Sequence, residues 1–253
     1  MKHLVLLFPL FIACGPGYGL IDDGDDLLDE ASEYDGASLR IVSPSSGTFL
    51  ALEDSHEFSA VLYDAEGIEM TWEEVQWTSS ADADWTRDVA SFTDDTLEVG
   101  IHDITAEVTL PNGDRLAHTV GGILVQSFYA GTYSGLFHSE VTYDAYTVPC
   151  SGSVLIIVDP WGEVAAGGAD CVTSLMGFDT ELSYIFDLQN DAGVLSGTAG
   201  ADLFGWYTLD VPASGTLDPN GIGLTVDFGG DFMEFISLGG TVEAARVSLD
   251  AGM

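Results

Sequence analysis

Three turns of one chemistry punctuate the second half of this chain: Asp159-Pro160-Trp161-Gly162, Asn190-Asp191-Ala192-Gly193 and Asp218-Pro219-Asn220-Gly221. Each places an acid or amide first and glycine fourth. In two of them proline presets the φ of a type I turn, and in all three the glycine can take the left-handed position that closes a bulged hairpin. Each turn therefore joins two antiparallel strands. The segments between them, 153–158, 182–188, 203–209, 223–228 and 241–247, are short and rich in β-branched and aromatic residues, and no stretch carries a helical period. Residues 128–250 thus predict a meander of about eight to ten strands. A single sheet of that many strands curls or closes to remove its edges, so an antiparallel up-and-down β-barrel or a flattened sandwich is expected. Glycines at 152, 167, 168, 197, 200, 215 and 239 fall within strands, where they mark sharp bends or close backbone approach.

Residues 38–126 alternate on a shorter period. Leu39-Arg40-Ile41-Val42, residues 56–63, 74–80, 96–100 and 104–110, and a closing run toward Val125 read as strands. Turn clusters at Ser43-Pro44-Ser45-Ser46-Gly47, Asp64-Ala65-Glu66-Gly67 and Pro111-Asn112-Gly113-Asp114 separate them. About seven short strands in this span predict an immunoglobulin-like (Ig-like) β-sandwich. Val75-Gln76-Trp77-Thr78-Ser79-Ser80, then Leu97, Val99, Gly100, His102, Ile104, Thr105 and Val108, then Asn112-Gly113, resembles the bacterial Ig-like and PKD-like repeats of surface proteins. The resemblance implies a spacer or adhesion unit without catalysis. In it Trp77 is core, Gly100 sits where a side chain would crowd, and His102 packs at a strand start.

The N-terminus adds an address. Met1-Lys2-His3 precedes nine apolar residues, Leu4 to Ile12, too few to span a bilayer core of roughly 30 Å, and residues 1–13 read as an export signal peptide. Phe11-Ile12-Ala13-Cys14 resembles the lipobox of bacterial lipoproteins. That resemblance implies lipidation of Cys14 (palmitate among the acyl groups), a membrane contact through the lipid, and, with Gly15 following, delivery to the outer membrane. Residues 14–37 carry eight acids and no base, so their charges repel and little apolar surface is available to bury; they predict an acidic flexible linker. With Cys14 occupied by lipid on the exported side, Cys150 and Cys171 are left to form a disulfide.

The formal charge of −37 comes from 42 acids and 5 bases, with Lys2 the only lysine. Such a surface repels nucleic acid, whose binding requires a basic face. Solubility in saline surroundings, cation binding and attraction of a basic partner each account for the acidity. Asp22-Asp23-Gly24-Asp25-Asp26 has the charge of a calcium loop without its alternate spacing, and Asp94-Asp95 and Asp82-Ala83-Asp84 are too short to close a coordination sphere. Catalytic signatures do not emerge. His138-Ser139-Glu140 alternate across a strand and form no relay, and no nucleophile elbow, metalloprotease helix or phosphate loop occurs. No cofactor is implied.

The reading is a lipid-anchored, non-catalytic envelope protein that acts as a binding or structural and adhesion module. Its possible partners are an envelope protein, a glycan or a small apolar ligand. Trp161, Phe204, Trp206 and Tyr207 are candidate contact residues, because a turn-tip aromatic can stack on a ligand. The opening Ala130-Gly131-Thr132-Tyr133-Ser134-Gly135 and the Gly-rich hairpins of residues 128–250 loosely resemble the lipocalin-like barrels of bacterial lipoproteins, so a lipocalin-like carrier of a small apolar ligand is one alternative, and a calcium-dependent adhesin is the other.

Overall fold

The computed structural model describes residues 34–175, 178–203, 207–233 and 236–251. All of their regular structure is β. Nine strands come first: β1 (Ser38–Ser43), β2 (Phe49–Ala51), β3 (His56–Tyr63), β4 (Glu69–Met70), β5 (Gln76–Ser79), β6 (Thr86–Asp88), β7 (Ser91–Asp94), β8 (Gly100–Thr109) and β9 (Arg115–Gln126). β1, β3 and β4, with β7 also on β3, make one sheet; the second runs β2-β9-β8-β5-β6, with β2 parallel to β9. The two sheets form the predicted sandwich because alternation gives each an apolar face: Phe58, Ala60 and Leu62 on β3, and Ile104, Ala106 and Val108 on β8, are buried between them. Phe58 stacks on Phe92 at 5.1 Å and meets Trp77 edge-on at 6.1 Å. Trp77 is fully buried and its indole N–H donates to the Val89 carbonyl at 2.7 Å, so burial leaves no unpaired donor.

Two sequence expectations in this module change. The strand expected at 96–100 is not formed; its place in the sheet is taken upstream by β7. The Asp94 carboxylate accepts both the backbone N–H (2.7 Å) and the hydroxyl (2.6 Å) of Thr96, and this local turn diverts the chain although Leu97 is still buried. β6, too short and polar to show alternation, was not foreseen. At Gly100 an added Cβ would meet His102 Nε2 at 3.5 Å, an ordinary contact, so crowding does not explain that glycine. His102 itself is fully buried, with Ser79 Oγ 2.6 Å from Nδ1 and the Glu98 carbonyl 2.8 Å from Nε2, a satisfied core histidine.

The second half closes. β10 (Gly131–Tyr143), β11 (Tyr146–Val158), β12 (Val164–Leu175), β13 (Phe178–Asp191), β14 (Val194–Leu203), β15 (Tyr207–Leu217), β16 (Gly223–Met233) and β17 (Ile236–Ser248) form an eight-stranded antiparallel up-and-down barrel, completed where β17 pairs with β10. Closure removes both edges, and eight strands leave an interior that side chains can fill. They fill it here. Phe137, Tyr184, Phe186 and Phe228 meet at centroid distances from 4.5 to 6.3 Å in the barrel centre, and the Tyr184 hydroxyl pairs with Ser139 Oγ at 2.8 Å. Cys150 and Cys171 are bonded between β11 and β12 with Cα atoms 5.8 Å apart. Inward glycines let the sheet fold sharply: a Cβ at Gly167 would lie 2.0 Å from the Leu155 carbonyl oxygen, and one at Gly197 2.1 Å from that of Asp187.

The three repeated turns have left-handed glycines, with φ of 75°, 91° and 64° at Gly162, Gly193 and Gly221. They also share a second role. All three lie at the barrel end facing the sandwich, where added Cβ atoms would strike Ser127 Oγ at 2.3 Å, the Tyr129 hydroxyl at 2.9 Å and the Phe128 carbonyl at 2.2 Å. The connecting segment is held from both sides. Glu53 of the sandwich accepts from the Ser127 hydroxyl and, at 3.2 Å, from the Phe128 N–H. The Ser127 N–H donates to the Pro160 carbonyl at 2.8 Å, and Gln126 Nε2 to the Leu249 carbonyl at 2.8 Å. Arg246 donates to the Phe128 carbonyl.

Candidate functional site

The barrel separates the aromatic residues singled out above. Trp161 lies on the β11–β12 turn at the sandwich-facing end, 57% exposed. Tyr207 begins β15 at the opposite end, paired with Leu203, roughly 30 Å away along strands that rise about 3.3 Å per residue. The two do not form one contact surface. Phe204 and Trp206 lie outside the described residues, as do Cys14, the signal segment and the acidic cluster at 22–26.

A different site appears on the outer wall, where β16, β17, β10 and β11 run side by side. A groove of about 700 Å³ is lined there by His138, Glu140, Ser151, Asp231, Ser237 and Thr241, with Gly239 in its floor. The register explains it. Gly229 pairs with Gly239, Asp227 with Thr241 and Asp231 with Ser237 across β16–β17; Gly239 pairs with Glu140, and Thr241 with His138, across β17–β10. These positions share the outward phase, opposite to the buried Phe228, Leu238 and Phe137. Two facing glycines leave the wall without side chains at its centre, and carboxylates at Asp227, Asp231 and Glu140 stand around that gap. Asp227 and Asp231 each stand two residues from Gly229 along β16, and Glu140 lies one strand beyond Gly239, so the three acids surround the gap at roughly 10 to 13 Å from one another.

Inside the barrel Gly240 is demanded by packing, because a Cβ there would fall 2.4 Å from the Phe228 ring. Gly239 is not: its added Cβ would meet only the Phe228 carbonyl oxygen, at 3.6 Å. Glycine within a strand weakens it and marks a bulge, a bend, or a close approach by another backbone or a ligand; at Gly239 no backbone of this chain comes closer than 3.6 Å to the place of a Cβ. His138 Nδ1 lies 2.8 Å from Ser151 Oγ on the groove wall, while Ser139, one residue on, points inward to Tyr184. The sequence expectation that these neighbours form no relay is met.

Beside the groove the outer wall turns apolar. Leu136 on β10, Leu155 on β11 and Ile185 on β13 are 61%, 50% and 64% exposed, and Leu155 and Ile185 flank Gly168 across three paired strands. No lysine or arginine faces either surface among the described residues. Arg87 pairs with Asp94, Arg115 with Glu107 at 3.1 Å, Arg246 turns to the connecting segment, and Arg40 is on β1 of the sandwich. Among the described residues no group of three His, Cys, Asp or Glu side chains converges as metal ligands.

The shifted titrating groups serve the fold. Burial raises the Asp94 carboxyl, but hydrogen bonds from Thr96, Trp85 and Arg87 outweigh it and hold the group below its ordinary value. Burial raises the Tyr133 phenol to about 12, against an opposing pull from Arg246.

The fold and site define a class: an all-β protein in which a two-sheet sandwich carries a closed, side-chain-filled barrel with an acidic groove on its outer wall. No family model matches the chain, and no curated protein matches it. Among solved structures it is similar to the vaccine antigen transferrin binding protein B from Haemophilus parasuis Hp5. With a tryptophan-to-alanine mutant it shares 9% identity over 78% of this chain and 51% of the other, at a TM-score of 0.36. With a tyrosine and tryptophan double mutant it shares 14% identity over 78% and 45%, at 0.36. The chain spans about half the length of these structures.

Proposed function

We propose that this chain is a non-catalytic envelope protein, lipid-anchored at Cys14 in the outer membrane, that holds a partner molecule on the outer wall of its barrel. The observation that carries the reading is the bare Gly229–Gly239 floor ringed by Asp227, Asp231 and Glu140, a strand-weakening feature that the core does not require at Gly239. The filled interior supports an outer rather than an inner site. A lipocalin-type carrier needs space where Phe137, Tyr184, Phe186 and Phe228 pack. The sandwich acts as a spacer, and its hydrogen-bonded joint to the barrel fixes the direction in which the groove faces.

Two measurements test this. Mass spectrometry of the mature N-terminus is expected to find an acylated Cys14; an unmodified terminus elsewhere refutes the anchor. A photo-cross-linking residue placed at Thr241, in the groove, is expected to trap a discrete adduct in intact envelope, whereas one at Thr198, on β14 of the same outer wall, does not. Equal yield at both positions, or none at either, refutes the groove as the partner site.

A further inference from the structure

We infer that the groove takes a basic, amphipathic polypeptide segment, with lysine or arginine side chains over the Gly229–Gly239 floor and apolar side chains on the neighbouring Leu136–Leu155–Ile185 surface. The inference rests on the groove being the partner site and adds the chemistry of the partner.

Charge is the first argument. Asp227, Asp231 and Glu140 surround the floor, none of them in an ion pair with lysine or arginine among the described residues, in a chain whose formal charge is −37. An anionic polymer or an anionic lipid surface is repelled from such a wall, and a cationic group is attracted and steered to it. Shape is the second. The floor is backbone, so an ammonium or guanidinium can approach it closely, beside the hydroxyls of Ser237 and Thr241 and within the field of the surrounding carboxylates. A bare metal ion is the poorer occupant, because no three ligating side chains converge there among the described residues. The third argument selects a polypeptide over a small polyamine. Leu136 precedes His138 by one two-residue step on the outward face of β10, so the apolar surface adjoins the groove. An occupant of both must alternate basic and apolar groups over a length that a single amine does not have. Exposed apolar surface amid so much charge marks an interaction site.

The test uses the full mature chain and a fluorescein-labelled heptapeptide of alternating lysine and leucine, followed by anisotropy. Binding is expected, weakening as salt rises. Gly239→Leu, which fills the floor from a position with room for a side chain, and Glu140→Gln with Asp231→Asn are each expected to weaken it at least about tenfold. Glu57→Gln with Glu69→Gln, which removes the same charge from the sandwich, is expected to change it less than about twofold. Leu155→Ser is expected to weaken the lysine-leucine peptide while leaving spermine binding unchanged. Equal losses in the groove and sandwich variants overturn the inference, since the chain then attracts cations without a site; so does the absence of binding. If the Thr241 adduct forms but the peptide fails, and a neutral glucose oligomer is bound in a Gly239→Leu-sensitive manner, the partner site stands and its proposed chemistry falls.

Discussion

Adjacent glycines 239 and 240 offer a sharp test of how the barrel is packed, because one faces out and the other in. At Gly240 an added Cβ would lie 2.4 Å and 2.8 Å from Cζ and Cε1 of Phe228 and 2.3 Å from the His138 carbonyl oxygen. Carbon atoms rest at about 3.5 to 4.0 Å, so the Phe228 ring must retreat by roughly 1 Å. That ring lies parallel to Phe137 at 5.9 Å and edge-on to Phe186 at 5.6 Å. Overpacking of this kind costs about 1 to 3 kcal/mol, and each disturbed aromatic pair about 0.5 to 1.5 more, so Gly240→Ala is expected to destabilise the barrel by about 3 kcal/mol. At Gly239 the nearest atom is 3.6 Å away, and alanine also restricts the unfolded chain, so Gly239→Ala is expected to fall within about 0.5 kcal/mol of the parent. Urea unfolding followed by circular dichroism measures both. If the two variants agree within about 0.5 kcal/mol, the assignment of inward and outward phase on β17, and with it the groove, is refuted.

Other perturbations reach different parts of the molecule. Reduction of Cys150–Cys171, or its replacement by serines, is expected to cost the barrel about 3 kcal/mol for a separation of 21 residues, measured by urea unfolding with and without reductant. Asp94 has a folded pKa below its reference value of 3.8, so its stabilising contribution is complete above that pH and is lost as pH falls below 3.8 toward the folded value. Asp94→Asn is expected to lower stability at pH 7 and to flatten the acid limb of the sandwich's stability curve in that window; an unchanged limb contradicts the assignment. Glu53→Ala removes the acceptor shared by Ser127 and Phe128, and is expected to raise amide hydrogen exchange at 127–129 at least about tenfold while leaving the barrel strands unchanged.

Much of the architecture was legible because its causes are local. Asp159-Pro160-Trp161-Gly162 declares a turn by its own chemistry, and alternation in residues 56–63 declares a half-buried strand without reference to any partner. Expectation failed where a side chain competed with the backbone: Asp94 captures Thr96 and β7 (Ser91–Asp94) ends there, whereas periodicity places the strand at 96–100. Trp161 was visible as an unusual turn residue, but its position at the sandwich-facing end depends on how the turns dock against Ser127, Phe128 and Tyr129.

The candidate groove had no sequence signal that could have found it directly. Glu140 and Asp231 come from near the two ends of the barrel sequence and meet because β17 closes onto β10. Gly229 and Gly239 look like the other strand glycines until the register pairs them on the outward side. The sequence by itself determined an all-β chain, its turns, its cysteine pair and its field of negative charge, since propensity, turn chemistry and charge act over a few residues or need no geometry at all. Tertiary structure alone decided closure over flattening, a filled interior over a cavity, and which carboxylates stand around a bare stretch of wall. Those outcomes depend on strand register and side-chain volume, which are properties of the assembled sheet.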